Sequence, residues 1–149
     1  MIRTYASAAA LLLLGAAAVP AHAEPLITAK EAALPAAASG ALAFRGVTRG
    51  PKVEIASPSA DAGTVTSPVD LKLKFQSFGG ATVNPDAVKV TYLKNPAVDL
   101  TPRLKKYIQA NGIEMPSAEL PPGDHPIRVE IKDSEGRSGT ANFTLKVAK

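Results

Sequence analysis

The chain has 149 residues, of which 46% are hydrophobic and 20% are charged, and its formal net charge is +4. It contains no cysteine, which excludes disulfides, cysteine-ligated metal centres and a cysteine nucleophile. The proportion of apolar residues also excludes a chain that is disordered along its whole length.

The first 23 residues have the pattern of an export signal. Arg3 supplies a positive charge, residues 6–19 form an apolar run, and residues 21–23 read Ala-His-Ala, a small-x-small cleavage site. A retained membrane anchor is the alternative, but the apolar run is shorter than the roughly 20 residues that a spanning helix needs. We therefore predict cleavage near Ala23 and a periplasmic or secreted mature protein.

Residues 24–50 are rich in Ala, Gly and Pro and contain few residues of the kind that form a core. Thr28 and Glu31 have the spacing of a capping box, which predicts a short helix over residues 29–34. We interpret this zone as a linker, and a segment that folds onto a partner is the alternative. Within it, residues 42–44 (Leu-Ala-Phe) are predicted to dock back onto the domain.

The region from residue 51 to residue 149 alternates apolar and polar residues, and turns rich in Pro and Gly separate the runs. Such alternation is typical of an antiparallel sheet with one buried face. The last two runs, about 126–132 and 139–147, form a predicted hairpin over residues 133–138. We predict an all-β fold, an immunoglobulin-like antiparallel β-sandwich of about seven strands. The alternating runs cover residues 52–55, 69–76, 88–92, 127–132 and 141–147, with weaker strands around 113–120.

One segment has helical rather than strand periodicity. Leu100, Leu104, Tyr107 and Ile108 fall on one helical face, which predicts a short helix over about 102–110, inserted between strands. We expect this helix to end at Gly112, because glycine is common just after a helix.

Four basic residues lie on and beside this predicted helix, namely Lys94, Arg103, Lys105 and Lys106. They predict either a docking patch for an acidic protein, a lipid headgroup or a polyanion, or the solvated face of an amphipathic helix. As a docking patch, they are the predicted partner-binding residues. Alanine at Arg103, Lys105 and Lys106 is then expected to abolish partner binding and leave the melting temperature nearly unchanged.

The C-terminal region resembles bacterial immunoglobulin-like domains. Residues 120–137 contain a Leu-Pro-Pro-Gly turn, a strand and an Asp-Ser-Glu-Gly turn, and the last strand contains Phe143-Thr-Leu-Lys-Val147. Residues 57–63 followed by 69–75 resemble the opening of such a domain. The resemblance covers roughly residues 52–76 and 119–147, and it implies an immunoglobulin-like sandwich without implying one particular role.

The same stretches are similar to the small periplasmic copper-carrier proteins of copper resistance systems. That resemblance implies a site made of a histidine near the mature N-terminus and further histidines or methionines. In the mature sequence the candidate metal ligands are His125 and Met115. A periplasmic carrier of copper or another metal is therefore the alternative function.

Catalytic motifs are scarce in this sequence. The mature chain has one histidine, and it has no Gly-x-Ser-x-Gly elbow and no glycine-rich phosphate loop. Asp133 and Glu135 either set a turn or hold a weakly bound calcium ion. We predict a non-enzymatic exported module that binds a protein partner and has no cofactor. We expect it neither to bind nucleic acid nor to span the membrane. A hydrolase is the third hypothesis.

Overall fold

The computed structural model of the chain describes residues 23–38, 49–59 and 61–149. The predicted export signal, apart from Ala23, lies outside the described residues, and so does the predicted docking segment 42–44. None of the helices in the described ranges has the length and the apolar sequence that crossing a bilayer requires.

The described ranges contain ten strands in two sheets and only short helices, which confirms the predicted all-β sandwich. The strands are β1 Glu24–Pro25, β2 Lys52–Ser57, β3 Thr64–Val65, β4 Val69–Gln76, β5 Lys89–Tyr92, β6 Val98–Asp99, β7 Ile108–Gln109, β8 Gly112–Glu119, β9 Gly123–Lys132 and β10 Ser138–Val147. One sheet has the order β1-β8-β4-β2, with β7 also paired to β8, and the other has the order β3-β10-β9-β5-β6.

The alternating sequence pattern decides which side chains form the core. In β4 every second residue, from Val69 to Phe75, is buried, and the residues between them are exposed. The β9 residues Ile127, Val129 and Ile131 are buried from the opposite sheet. The core therefore lies between the two sheets, as strands with one wet face require.

The long strands pair antiparallel, and β9 and β10 form the predicted hairpin with a register of ten residue pairs. Two short pairings are parallel, β1 with β8 and β3 with β10. Strands β1 and β3 belong to connecting segments that run beside a sheet edge. No tight hairpin joins them to the strands they pair with, so the pairing need not be antiparallel. The predicted antiparallel arrangement therefore holds for every other strand pairing in the described ranges, including those of the short strands β6 and β7.

The inserted helix is shorter than its sequence periodicity predicts. Helix α2 covers Thr101–Leu104 and continues as a single 3₁₀ turn over Lys105–Tyr107. The chain then becomes extended, because β7 pairs with β8, and Gly112 begins β8 instead of ending a helix. The predicted apolar face is nevertheless present, since Leu100 and Leu104 are fully buried.

The N-terminal segment contains the predicted capping box and packs on the sandwich. Helix α1, Ala29–Ala32, has both reciprocal capping bonds between Thr28 and Glu31. Leu26 is 0% exposed and Ile27 is 2% exposed, and both belong to the core cluster. We call residues 24–36 the strap. Its composition predicts a linker, but its two adjacent large apolar residues are both buried in the core.

Candidate binding groove

The strap lies in a groove formed by the edge of β8 and the inserted helical segment. We define the groove by residues 118–119 together with Lys94, Arg103, Lys106 and Tyr107. Strand β1 of the strap pairs with Ala118 and Glu119. The backbone N–H of Leu26 continues this pairing and donates to the Glu119 carbonyl at 3.0 Å. Main-chain hydrogen bonds to a sheet edge are how many domains bind extended polypeptides.

Arg103 contacts the strap through both of its terminal nitrogens. Nη1 donates to the Leu26 carbonyl at 2.8 Å and to Glu31 Oε2 at 2.8 Å, and Nη2 donates to Glu31 Oε1 at 2.6 Å. These hydrogen bonds from the guanidinium are the largest cause of the lowered pKa of Glu31, which falls to about 2. The bidentate geometry holds the carboxylate in one orientation, which a point charge would not do.

Lys106 and Tyr107 bind the first residue of the strap. Lys106 Nζ lies 2.6 Å from Glu24 Oε2, and the Tyr107 hydroxyl donates to the same oxygen at 2.7 Å. The hydrogen bond from Lys106, followed by that from Tyr107, lowers the pKa of the Glu24 carboxyl. Glu24 and Glu31 thus contact two separate cations at the two ends of the groove.

Lys94 contacts the far end of the strap, and Lys105 has no contact with it among the described residues. Lys94 Nζ donates to the Ala32 carbonyl at 3.2 Å and lies 5.5 Å from the centre of the Tyr92 ring. The Lys105 side chain is 74% exposed, and its ammonium is 3.8 Å from the exposed carboxylate of Asp86. An exposed pair at that distance contributes little to stability.

Three of the four predicted partner-binding residues therefore contact the strap of the same chain. Their role toward a separate protein partner stays a prediction. The expectation that alanine at Arg103 and Lys106 leaves the melting temperature unchanged does not fit these contacts, because each substitution would remove a partner of a strap carboxylate. For Lys105 that expectation stands.

We predict that Arg103→Ala lowers the free energy of unfolding by about 1–2 kcal/mol, since hydrogen bonds to charged groups contribute about 1.5–3 kcal/mol and partial exposure reduces that value. The Arg103 side chain is 33% exposed. The matched control is Lys105→Ala, which removes an equal charge from the same segment and should change the free energy by less than about 0.5 kcal/mol. Urea unfolding of the two variants measures the difference, and equal values would contradict the assignment of Arg103 to the strap.

His125 is buried beside Tyr92, and both of its ring nitrogens are hydrogen-bonded. The ring is 1% exposed. Nε2 donates to the Pro121 carbonyl at 2.6 Å, because a carbonyl only accepts, so the neutral ring accepts at Nδ1 from the Tyr92 hydroxyl at 3.0 Å. Burial lowers the pKa of His125 and raises the pKa of Tyr92 to about 12. These contacts give His125 a place in the core, at the start of β9.

A metal-carrier site requires ligand atoms that are free to bind an ion, and the two candidate ligands do not provide them. Met115 is buried in β8 within the core, and neither nitrogen of His125 has a lone pair left for an ion in this neutral form. No group of three or more His, Cys, Asp or Glu residues that could hold a metal occurs in the described ranges.

The acidic residues of the last hairpin set its turn. Asp133 Oδ1 accepts from the backbone N–H groups of Glu135 and Arg137, and its Oδ2 accepts from Arg137 Nε at 2.8 Å. Burial would raise the pKa of Asp133, but the hydrogen bonds from Arg137 and Glu135 outweigh burial and lower that pKa. The turn interpretation of Asp133 and Glu135 accounts for these contacts without an ion.

The lowered pKa of His125 predicts a loss of stability in mild acid. An ordinary histidine has a pKa of about 6.5, so below that pH the unfolded chain binds a proton that the folded chain resists. The melting temperature of the mature chain should fall between about pH 7 and pH 5.5, where few other groups titrate. His125→Phe is the control variant, in which this fall should be absent even if the absolute stability is lower. An unchanged slope in the variant would assign the fall to other groups.

The docking of the strap was not predicted from the sequence, although signals for it are present. Leu26 and Ile27 are the only adjacent pair of large apolar residues between the predicted cleavage site and Leu34. Glu24 and Glu31 lie on either side of that pair, and residues 103–106 of the inserted segment include three basic residues and no acidic one. Charge complementarity between two distant segments indicates a contact, but the sequence of one segment does not identify the other segment that it contacts.

No protein-family model, no curated protein and no solved structure matches this chain.

Proposed function

We propose that this protein is an exported, non-enzymatic binding module of immunoglobulin-like type, which engages an extended acidic segment of a protein partner at the groove. The proposal rests on the observation that the strap of the same chain fills the groove. The strap is extended where Glu24 and Pro25 pair with β8, and the single turn of α1 follows. It buries Leu26 and places the carboxylates of Glu24 and Glu31 on Lys106 and Arg103. The groove thus has the backbone contacts, the apolar site and the charges that recognise a polypeptide of this chemistry.

The chemistry of His125 supports a binding role over a catalytic one. A general base must reach the proton that it removes, and it needs a free acceptor nitrogen. His125 is buried and uses both nitrogens on Tyr92 and Pro121.

Export to the bacterial periplasm or beyond rests on the sequence of the first 23 residues and is part of the proposal. Among the described residues the first strand begins at Glu24, so cleavage after Ala23 would leave this strand intact. The lack of cysteine is compatible with an oxidising compartment. The immunoglobulin-like assignment is supported by the resemblance of residues 120–147, whose turns and strands correspond to the β9–β10 hairpin.

A labelled peptide with the sequence of residues 24–38 tests whether the groove binds an acidic segment in trans. The titration uses the mature chain and the variant Leu26→Asp, in which the chain's own strap should no longer fill the groove. We expect saturable fluorescence anisotropy with the variant, and at least about tenfold weaker apparent binding with the wild-type chain, whose strap competes at a high effective concentration.

Two controls make this result specific to the groove. A peptide carrying Glu24→Gln and Glu31→Gln should bind the Leu26→Asp chain more weakly, because it lacks the charges that contact Lys106 and Arg103. A scrambled peptide of the same composition should not bind. Absence of saturable binding to a folded Leu26→Asp chain, or equal binding of the scrambled peptide, would reject the proposed function.

A further inference from the structure

We infer that the strap of one copy of this chain can occupy the groove of a second copy, so that two copies exchange straps. This inference rests on the proposed function, because it takes the groove as a site for an acidic extended segment and names a second copy of the chain as its source. Exchange of an identical element between two copies gives a closed dimer without any new type of contact.

The contacts of the strap are made to residues far along the chain. Glu31 bonds Arg103, Glu24 contacts Lys106, and the Ala32 carbonyl accepts from Lys94. Each of these contacts would form in the same way if the two segments belonged to different copies. The choice between one copy and two therefore depends on the connection from the strap to the sandwich.

The register of the second sheet gives the distance that this connection must cross. The strap ends at Ala36, which bridges to Lys94, and the sandwich resumes at Gly50, which packs against Ser138. Lys94 comes two residues after β5, whose last residue Tyr92 is level with Phe143 of β10, two strands away. Five residues along β10 and two strand spacings across the sheet amount to about 20 Å from Tyr92 to Ser138.

The connecting chain is long enough to allow both arrangements. Fourteen residue-to-residue steps separate Ala36 from Gly50, and they can span up to about 49 Å. A connection of this length presents the strap to its own groove at a millimolar effective concentration. We therefore expect a monomer at micromolar protein concentrations and exchange as the concentration approaches the millimolar range.

Shortening the connection tests the inference directly. Deleting residues 39–48 leaves four steps, which reach about 14 Å and cannot join the strap to its own groove. We expect this mature variant to be a dimer at micromolar concentration by size-exclusion chromatography with light scattering. The control replaces the same ten residues with glycine and serine at equal length, and it should remain a monomer. A folded monomeric deletion variant would overturn the exchange.

A disulfide assay on chains of full mature length keeps the inference testable if the deletion variant does not fold. The chain has no cysteine of its own, and Pro25 pairs with Glu119 in the β1–β8 register. One chain carries Pro25→Cys and the other carries Glu119→Cys, so only an exchanged strap brings the two thiols together. The two chains are unfolded in urea and refolded together under mild oxidation.

The expected product at about 1 mM protein is a disulfide-linked heterodimer. The control pairs the Pro25→Cys chain with a Lys89→Cys chain, whose thiol lies on the exposed face of β5 and away from the groove. Heterodimer no more abundant than in this control would overturn the exchange. If the peptide of residues 24–38 binds the Leu26→Asp chain but no heterodimer forms, the proposed function stands and only the exchange fails; if the peptide does not bind, the proposed function itself fails.

Discussion

Replacing Leu26 with aspartate is expected to release the strap and to lower the free energy of unfolding by about 3–5 kcal/mol, because the substitution removes a buried leucine and places a charge in an apolar site. Leu26 is 0% exposed and belongs to the core cluster. The loss has an upper limit, since the strap can leave the groove instead of burying the charge. Once it has left, Arg103 has no strap to hold.

The upper limit on the loss of free energy leads to a prediction about a double variant. Adding Arg103→Ala to Leu26→Asp should change the stability by less than about 0.5 kcal/mol, although Arg103→Ala alone has a larger effect, because residues that act through one contact are not additive. Urea unfolding measures the three variants. Additive losses would show that Leu26 and Arg103 stabilise the protein independently and would contradict the strap as one unit.

Limited proteolysis is a second way to measure release of the strap from the groove. Trypsin should cut after Lys30 faster in the Leu26→Asp chain than in the wild type, since cleavage of a segment follows the population of its released form. The matched control is Ala33→Asp, which adds the same charge at an exposed position of the strap. It should leave both the stability and the cleavage rate close to those of the wild type.

Replacing Gly139 with alanine is expected to lower the free energy of unfolding by about 3 kcal/mol or more, because the added methyl group has no space. A Cβ atom at Gly139 would lie 1.8 Å from the carbonyl oxygen of Pro51, which is backbone and cannot rotate away. Gly139 is in β10 and Pro51 directly precedes β2, so the clash would push apart the edges of the two sheets.

The matched control for this substitution is Gly63→Ala. Gly63 has a φ of +63°, and no heavy atom lies within 4 Å of the Cβ position. Alanine at that position should cost about 1–2 kcal/mol for the left-handed backbone alone. Thermal unfolding of both variants separates the steric effect from the conformational one. Equal losses would show that the close approach of β2 and β10 relaxes easily.

Alternation of apolar and polar residues was enough to predict the two-layer fold and the six longer strands, because every second residue of such a strand is buried. The two-residue strands β1, β3, β6 and β7 are too short to alternate and were not predicted. The β9–β10 hairpin followed from its turn residues in the same way. The length of the inserted helix was not predictable from Leu100 and Leu104, since Ile108 and Gln109 form a tight hairpin with Ile113 and Gly112 of β8 and the helical spacing does not indicate that turn.

The groove could be predicted only in part. The basic cluster drew attention to Arg103 and Lys106, but their acidic contacts in this chain lie more than 70 positions earlier in the sequence. A single sequence carries no signal for such a pairing beyond complementary charge. The buried pair Leu26 and Ile27 was hidden within an Ala-rich and Pro-rich segment, whose composition is typical of a linker.

The pairing of the two strap glutamates with cations has a consequence for how the protein meets anionic surfaces. With the strap docked, Glu31 and Glu24 neutralise Arg103 and Lys106 on a protein that already has an excess of positive charge. An opened chain would present both cations to solvent, where their attraction for polyanions is screened within about 10 Å at 0.1 M salt. Opening would therefore appear as later elution from a cation-exchange column, and rising ionic strength would abolish the difference.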